Sequence, residues 1–188
     1  MTPMDAWTRI ARRLAGLVLS SLLLGCMDNR ITLEVDVASF LAPSDRSGPY
    51  DAPAGSPAVD HDLPPIEVRI EGYDQLNKAE SVDLELEVRF DNQSGQGQVR
   101  FSLFFSDSAT GLFETPAVAV AEAPLAPLTA STGTASIHGD ARLLELFQNR
   151  QMWIGIRLHW APETADALVG DYTITRLHAT VVSNLDLL

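Results

Sequence analysis

Few side chains in this sequence are grouped as a reaction would need them. The four histidines, His61, His138, His159 and His178, are scattered. His159 and His178 fall in stretches that alternate like strands and could meet across a sheet. Two imidazoles without a third ligand make a weak metal site, so structural or surface histidines are the better reading. Glu67, Glu71, Asp83, Glu85 and Glu87 alternate with apolar residues and read as a solvated strand face. Asp74, Asn77, Asp91 and Asn92 fall in turns, where hard oxygen ligands would suit calcium. Turns favour Asp and Asn for backbone reasons anyway, and no metal or other cofactor is expected. No Gly-x-Ser-x-Gly elbow, His-Glu-x-x-His zinc helix or glycine-rich phosphate loop is present, and no catalytic residue is assigned. One group points to recognition. Trp153, Arg157 and His159 share one parity with Gly155, opposite Met152, Ile154, Ile156 and Leu158. Outward Trp and Arg dominate binding hot spots, so these three form a candidate contact patch. The plainer alternative is that a helix or loop covers Trp153, since Trp is highly buried on average.

The only cysteine, Cys26, follows a distinctive leader. Arg9, Arg12 and Arg13 precede an apolar run, Leu14 to Leu24, and Gly25 supplies a small residue. The run is too short to span a bilayer, which takes about 20 apolar residues. Leu23-Leu24-Gly25-Cys26 resembles the lipobox of bacterial lipoproteins. The resemblance implies cleavage before Cys26, a diacylglycerol thioether on its sulfur and usually an N-acyl chain such as palmitate. Each buried methylene contributes about 0.8 kcal/mol, so two or three chains anchor stably where one myristoyl chain does not. Arg12-Arg13 raises twin-arginine export, but Leu14-Ala15-Gly16 supports it poorly and the general secretory route is favoured. Met27, in place of Asp, after Cys26 resembles the outer-membrane pattern of two-membrane bacteria.

Without residues 1–25, a single domain of 163 residues is left, at 26–188. The leader takes three arginines and one acid with it, leaving 10 basic and 24 acidic residues and a net charge of −14. Such a surface repels nucleic acid and anionic headgroups. With Cys26 acylated, no thiol is left for a disulfide or a thiolate site. A core alone must hold the domain, which is feasible at about 150 residues.

Those candidate residues need a scaffold, and the periodicity predicts one of strands. Ile31, Leu33, Val35 and Val37 alternate with their neighbours, and the predicted strand extends toward Leu41. Residues 42–65 hold six of the eleven prolines and break every pattern; this predicts a loop, with Arg46, Tyr50 and His61 as its contact candidates. Ile66, Val68 and Ile70 resume the alternation. Residues 82–90 and 99–105 alternate most cleanly, and Asp91 to Gly97 between them predicts a hairpin. Val118 and Val120 suggest a short edge strand among prolines, and residues 132–138 another. Asp140 is placed to cap a helix over 141–149, with Leu143, Leu144 and Phe147 on one side. Residues 151–160 and 172–182 complete the set. The parity of the last strand slips, and a bulge near Thr175-Arg176 would restore one buried face.

Seven or eight short antiparallel strands and one short helix predict an all-β fold, an antiparallel β-sandwich of jelly-roll or immunoglobulin-like type. The expected role is non-catalytic: a lipoprotein on the extracytoplasmic side of a bacterial envelope, held through Cys26 and displaying the sandwich to a protein or glycan. A glycan-active enzyme is an alternative, needing two carboxylates about 5–9.5 Å apart in a cleft. A structural subunit of an envelope assembly is another.

Overall fold

A computed structural model describes residues 30–71, 76 and 78–184. Cys26, its lipobox and the calcium candidates Asp74 and Asn77 lie outside the described residues. Among the described residues, ten strands form two sheets. In chain order they are β1 (Arg30–Asp36), β2 (Ser47–Ala52), β3 (Val59–Asp62), β4 (Ile66–Arg69) and β5 (Ala79–Ser94). Then come β6 (Gly97–Ser106), β7 (Ala119–Leu125), β8 (Thr129–His138), β9 (Gln151–Pro162) and β10 (Leu168–Asn184).

The order of the strands decides the topology that periodicity left open. In one sheet β1 and β2 lie end to end along β10, which pairs β5, which pairs β8. In the other β3 and β4 lie end to end along β9, which pairs β6, which pairs β7. With each end-to-end pair taken as one strand, the orders are 1-8-3-6 and 2-7-4-5. Every neighbouring pair is antiparallel. The pairs 1·8, 2·7, 3·6 and 4·5 are successive rungs of one long hairpin, wound so that rungs alternate between sheets. That is a jelly roll.

The core lies between the sheets, where alternation sends it. Val82, Leu84, Leu86, Val88 and Phe90 of β5 are buried, while Glu85, Glu87 and Arg89 face out. Each such side chain contributes about 1.5–3 kcal/mol on burial. On β10 the register shifts between Ile174 and Arg176, so Tyr172 and Ile174 share the buried face with Leu177, Ala179 and Val181. The helix spans Ala141–Asn149; Asp140 Oδ1 accepts a 2.7 Å bond from the Leu143 amide. Leu143, Leu146 and Phe147 close one end of the core.

Three expectations are corrected. First, β5 and β6 do not pair: they belong to opposite sheets. The chain crosses at Gly95, whose φ of 73° and whose approach to Ala167 leave no room for a Cβ. Alternation marks a buried face but not which sheet owns it. Second, the proline-rich stretch contains β2, β3 and a helical turn at Pro43–Arg46. Both strands are edges, where Pro49 costs no ladder bond. The edge strand expected near Val118 and Val120 is present as β7, which turns Ala119, Ala121 and Ala123 inward and leaves Val120 40% exposed. Small side chains are needed there because β8 comes close, with Gly133 against Ala121 and Glu122. Third, the first strand ends at Asp36, sooner than its alternation suggests, with a 3-10 turn at Val37–Phe40.

Candidate functional site

Trp153, Gly155, Arg157 and His159 share the outer face of β9, as their parity requires. A turn at Leu112–Glu114 lies over the middle of that face. A Cβ on Gly155 would come within 2.8 Å of Leu112 and Phe113. Trp153 beside it is half-buried. The Arg157 guanidinium sits 5.4 Å from the Phe104 ring and 5.2 Å from the Phe113 ring. It donates through two nitrogens to Asp62, which raises its pKa against the opposing effect of desolvation. His159 Nδ1 stands 2.7 Å from Asp60 Oδ1.

These contacts follow from register: Asp62 faces Arg157 and Asp60 faces His159 across β3 and β9. Two of the three patch residues therefore clamp β3 to the sheet. Period two then sends His61, between the two aspartates, to the other face. There its ring stacks on Trp160 with centroids 6.0 Å apart.

His61 and Trp160 border a cleft between the free edges of β2 and β3. The cavity is about 360 Å³, and Ser44, Gly48, Pro49, Asp51, Leu63 and Tyr172 contribute to its walls. Gly48 matters because a Cβ there would stand 3.1 Å from the Tyr172 ring. Tyr50 lies behind, 6.1 Å from Trp160 between centroids, and its hydroxyl donates to Asn92 Oδ1 at 3.1 Å. Trp160 Nε1 is buried and has no hydrogen-bond partner among the described residues.

Burial, and then the charge of Asp45, pushes the Tyr172 phenol up to about 12. Tyr50 is pushed higher still by burial and by Asp171 and Asp91. Both phenols are neutral hydrogen-bond donors at pH 7.

Of the three contact candidates in the proline-rich stretch, only His61 reaches the cleft walls. Tyr50 is buried, and Arg46 turns back to donate to the Leu41 carbonyl. Trp160 carried a core signature in the sequence, and its second role depends on β3 lying beside it. His159 and His178 do not meet, because β9 and β10 belong to different sheets; His178 Nε2 instead lies 2.8 Å from Glu34. His138 lies 3.5 Å from Asp83. Asp91 is held by Arg89, and Asn92 is buried and bonded to Tyr50 and to the Gly95 carbonyl. Among the described residues, no group of three His, Cys, Asp or Glu side chains could hold a metal ion.

No family model and no curated protein matches the chain. Among solved structures it is similar to infectious bursal disease virus Gx strain, at 10% identity and a TM-score of 0.45, covering 85% of this chain and 33% of that one. It thus spans about a third of the virus chain. It is also similar to the Tobacco streak virus coat protein, at 13% identity and a TM-score of 0.29, covering 86% and 91% of the two chains. A third is TmCBM61, solved with β-1,4-galactotriose, at 12% identity and a TM-score of 0.30, covering 79% and 82%. Likeness at these scores carries no functional argument. The molecule is an all-β antiparallel sandwich by its own strand order.

Proposed function

We propose that this chain is a lipid-anchored protein of the bacterial envelope that displays a non-catalytic jelly-roll sandwich for contact with a glycan or protein. One observation carries the reading: Leu23-Leu24-Gly25-Cys26 stands four residues before Arg30, where β1 begins. Four residues reach at most about 14 Å, so an acylated Cys26 holds the body close to the bilayer. Arg30 pairs with Asn184, so an anchor on Cys26 would turn that end of the sandwich toward the membrane. Tyr172 stands twelve residues up β10 from Asn184, or about 40 Å at the rise of a strand. An anchor there would leave the cleft facing away from the lipid, where a partner has access. Asp51 is the one carboxylate among its lining residues, whereas hydrolysis by paired carboxylates needs two. The Trp153 face is a second surface within reach of a partner, through the exposed parts of Trp153 and His159.

Metabolic labelling with an alkyne fatty acid tests the anchor. Wild-type protein is expected to take up the label, and Cys26→Ala to take up none. Equal labelling of both would overturn the proposal.

A further inference from the structure

We infer that the cleft between β2 and β3 binds a neutral saccharide unit. This deepens the contact reading above and rests on it. The cavity, about 360 Å³, falls at the small end of ligand sites. Its walls are of two kinds. Pro49, Leu63 and the His61 ring offer apolar and aromatic surface to the C–H face of a sugar ring. Asp51, Ser44 and the Tyr172 hydroxyl offer an acceptor and donors to its hydroxyl groups.

The state of those polar groups sets the cleft apart from the sheet faces. Asp60 and Asp62 are taken up by His159 and Arg157, Glu34 by His178 and Glu85 by Arg176. Asp51, by contrast, makes no hydrogen bond or ion pair to the described residues, and neither does the Tyr172 hydroxyl. The Tyr172 hydroxyl thus opens on the cleft with no protein partner, where water or a ligand can satisfy it.

Other occupants fit less well. An anion would meet Asp51, the carboxylates that raise the two phenols, and a strongly negative chain. A cation held by aromatic faces needs those faces open. Here Tyr50, Trp160 and Tyr172 are at most 5% exposed, so packing covers them. An added peptide strand needs a regular edge, but β2 contains Pro49 and Pro64-Pro65 follow β3.

The test uses the full chain in detergent micelles and four probes: cellobiose, maltose, lactose and N,N′-diacetylchitobiose. Saturation-transfer NMR detects binding. Trp160 emission, in a background carrying Trp7→Phe and Trp153→Phe, reports where it occurs. At least one sugar is expected to bind and to shift that emission. His61→Ala and Asp51→Asn are each expected to weaken it about tenfold, or about 1.4 kcal/mol. Both sites are exposed, so the melting temperature should hold within about 2 °C. No transfer to any of the four sugars would overturn the inference, as would tighter binding of tetramethylammonium. Sugar binding unchanged in both variants would remove this cleft and leave the contact function standing. Loss of the anchor reading alone would show in the Cys26 labelling and not here.

Discussion

Arg157 and Asp62 are direct partners across β9 and β3, with the guanidinium forked onto both carboxylate oxygens. Because β3 is four residues long and an edge, this bond and its neighbour His159–Asp60 hold it in register. Its register in turn sets His61 against Trp160. Clamp and cleft are therefore opposite faces of one short strand.

Arg157→Ala should loosen that strand. Both side chains are about a third exposed, so solvent screening discounts the ion pair. With the two ring contacts included, about 1–2 kcal/mol is expected in urea denaturation. Arg157→Lys should recover part of it, because it keeps the charge and loses the fork. NMR of His61 gives an independent check, since its ring environment should change in the alanine variant. Unchanged stability and an unchanged His61 signal would show that β3 is held by something else.

Gly155→Ala should destabilise the domain although it adds a single methyl group. The new Cβ would stand 2.8 Å from both Leu112 and Phe113, so the turn at 112–114 must lift. Overpacking of this kind costs about 1–3 kcal/mol. Thermal melting should fall by several degrees, and an unaltered transition would mean the turn does not rest on β9.

Alkali should unfold the protein through its buried phenols. Tyr172 loses its proton near pH 10 when unfolded and near 12 when folded. The unfolded chain therefore gives up the proton first as pH rises. Stability is intact below pH 10 and declines toward pH 12, by about 2–3 kcal/mol from this group. Tyr50 acts in the same direction. Denaturant midpoints across pH 9 to 12 should fall for the wild type and fall less for Tyr172→Phe. Equal slopes would place Tyr172 outside the buried set.

How much of this was readable in advance depends on how local each cause is. The Asp140 cap, the inward face of β5 and the slip at Thr175-Arg176 all follow from neighbours within one element, and the sequence displays them. The crossing at Gly95 does not follow, because an apolar face looks the same in either sheet. β2 and β3 leave little pattern in the sequence because edge strands tolerate proline and need little apolar patterning; β3 leaves Asp60, His61 and Asp62 exposed. The cleft was hidden for the same reason. Trp160 behind it has the parity of core, and most of its walls, the His61 ring included, come from a stretch that reads as loop.

Proteolysis can check the corrected reading of that stretch. The backbone of β2 and β3 is paired, whereas residues 53–58 between them form a turn with Gly55 at a φ of 68°. First cuts are expected within 53–58, because unpaired backbone opens at little cost. Equally early cuts within 47–52 would mean that β2 does not hold to β10.

The most direct measurement of the central claim is the intact mass of the protein extracted from membranes. The expected species begins at Cys26 and carries the added mass of a diacylglycerol and an acyl chain. A polypeptide of unmodified mass, or one that begins at another residue, would contradict a lipid-anchored display of this sandwich.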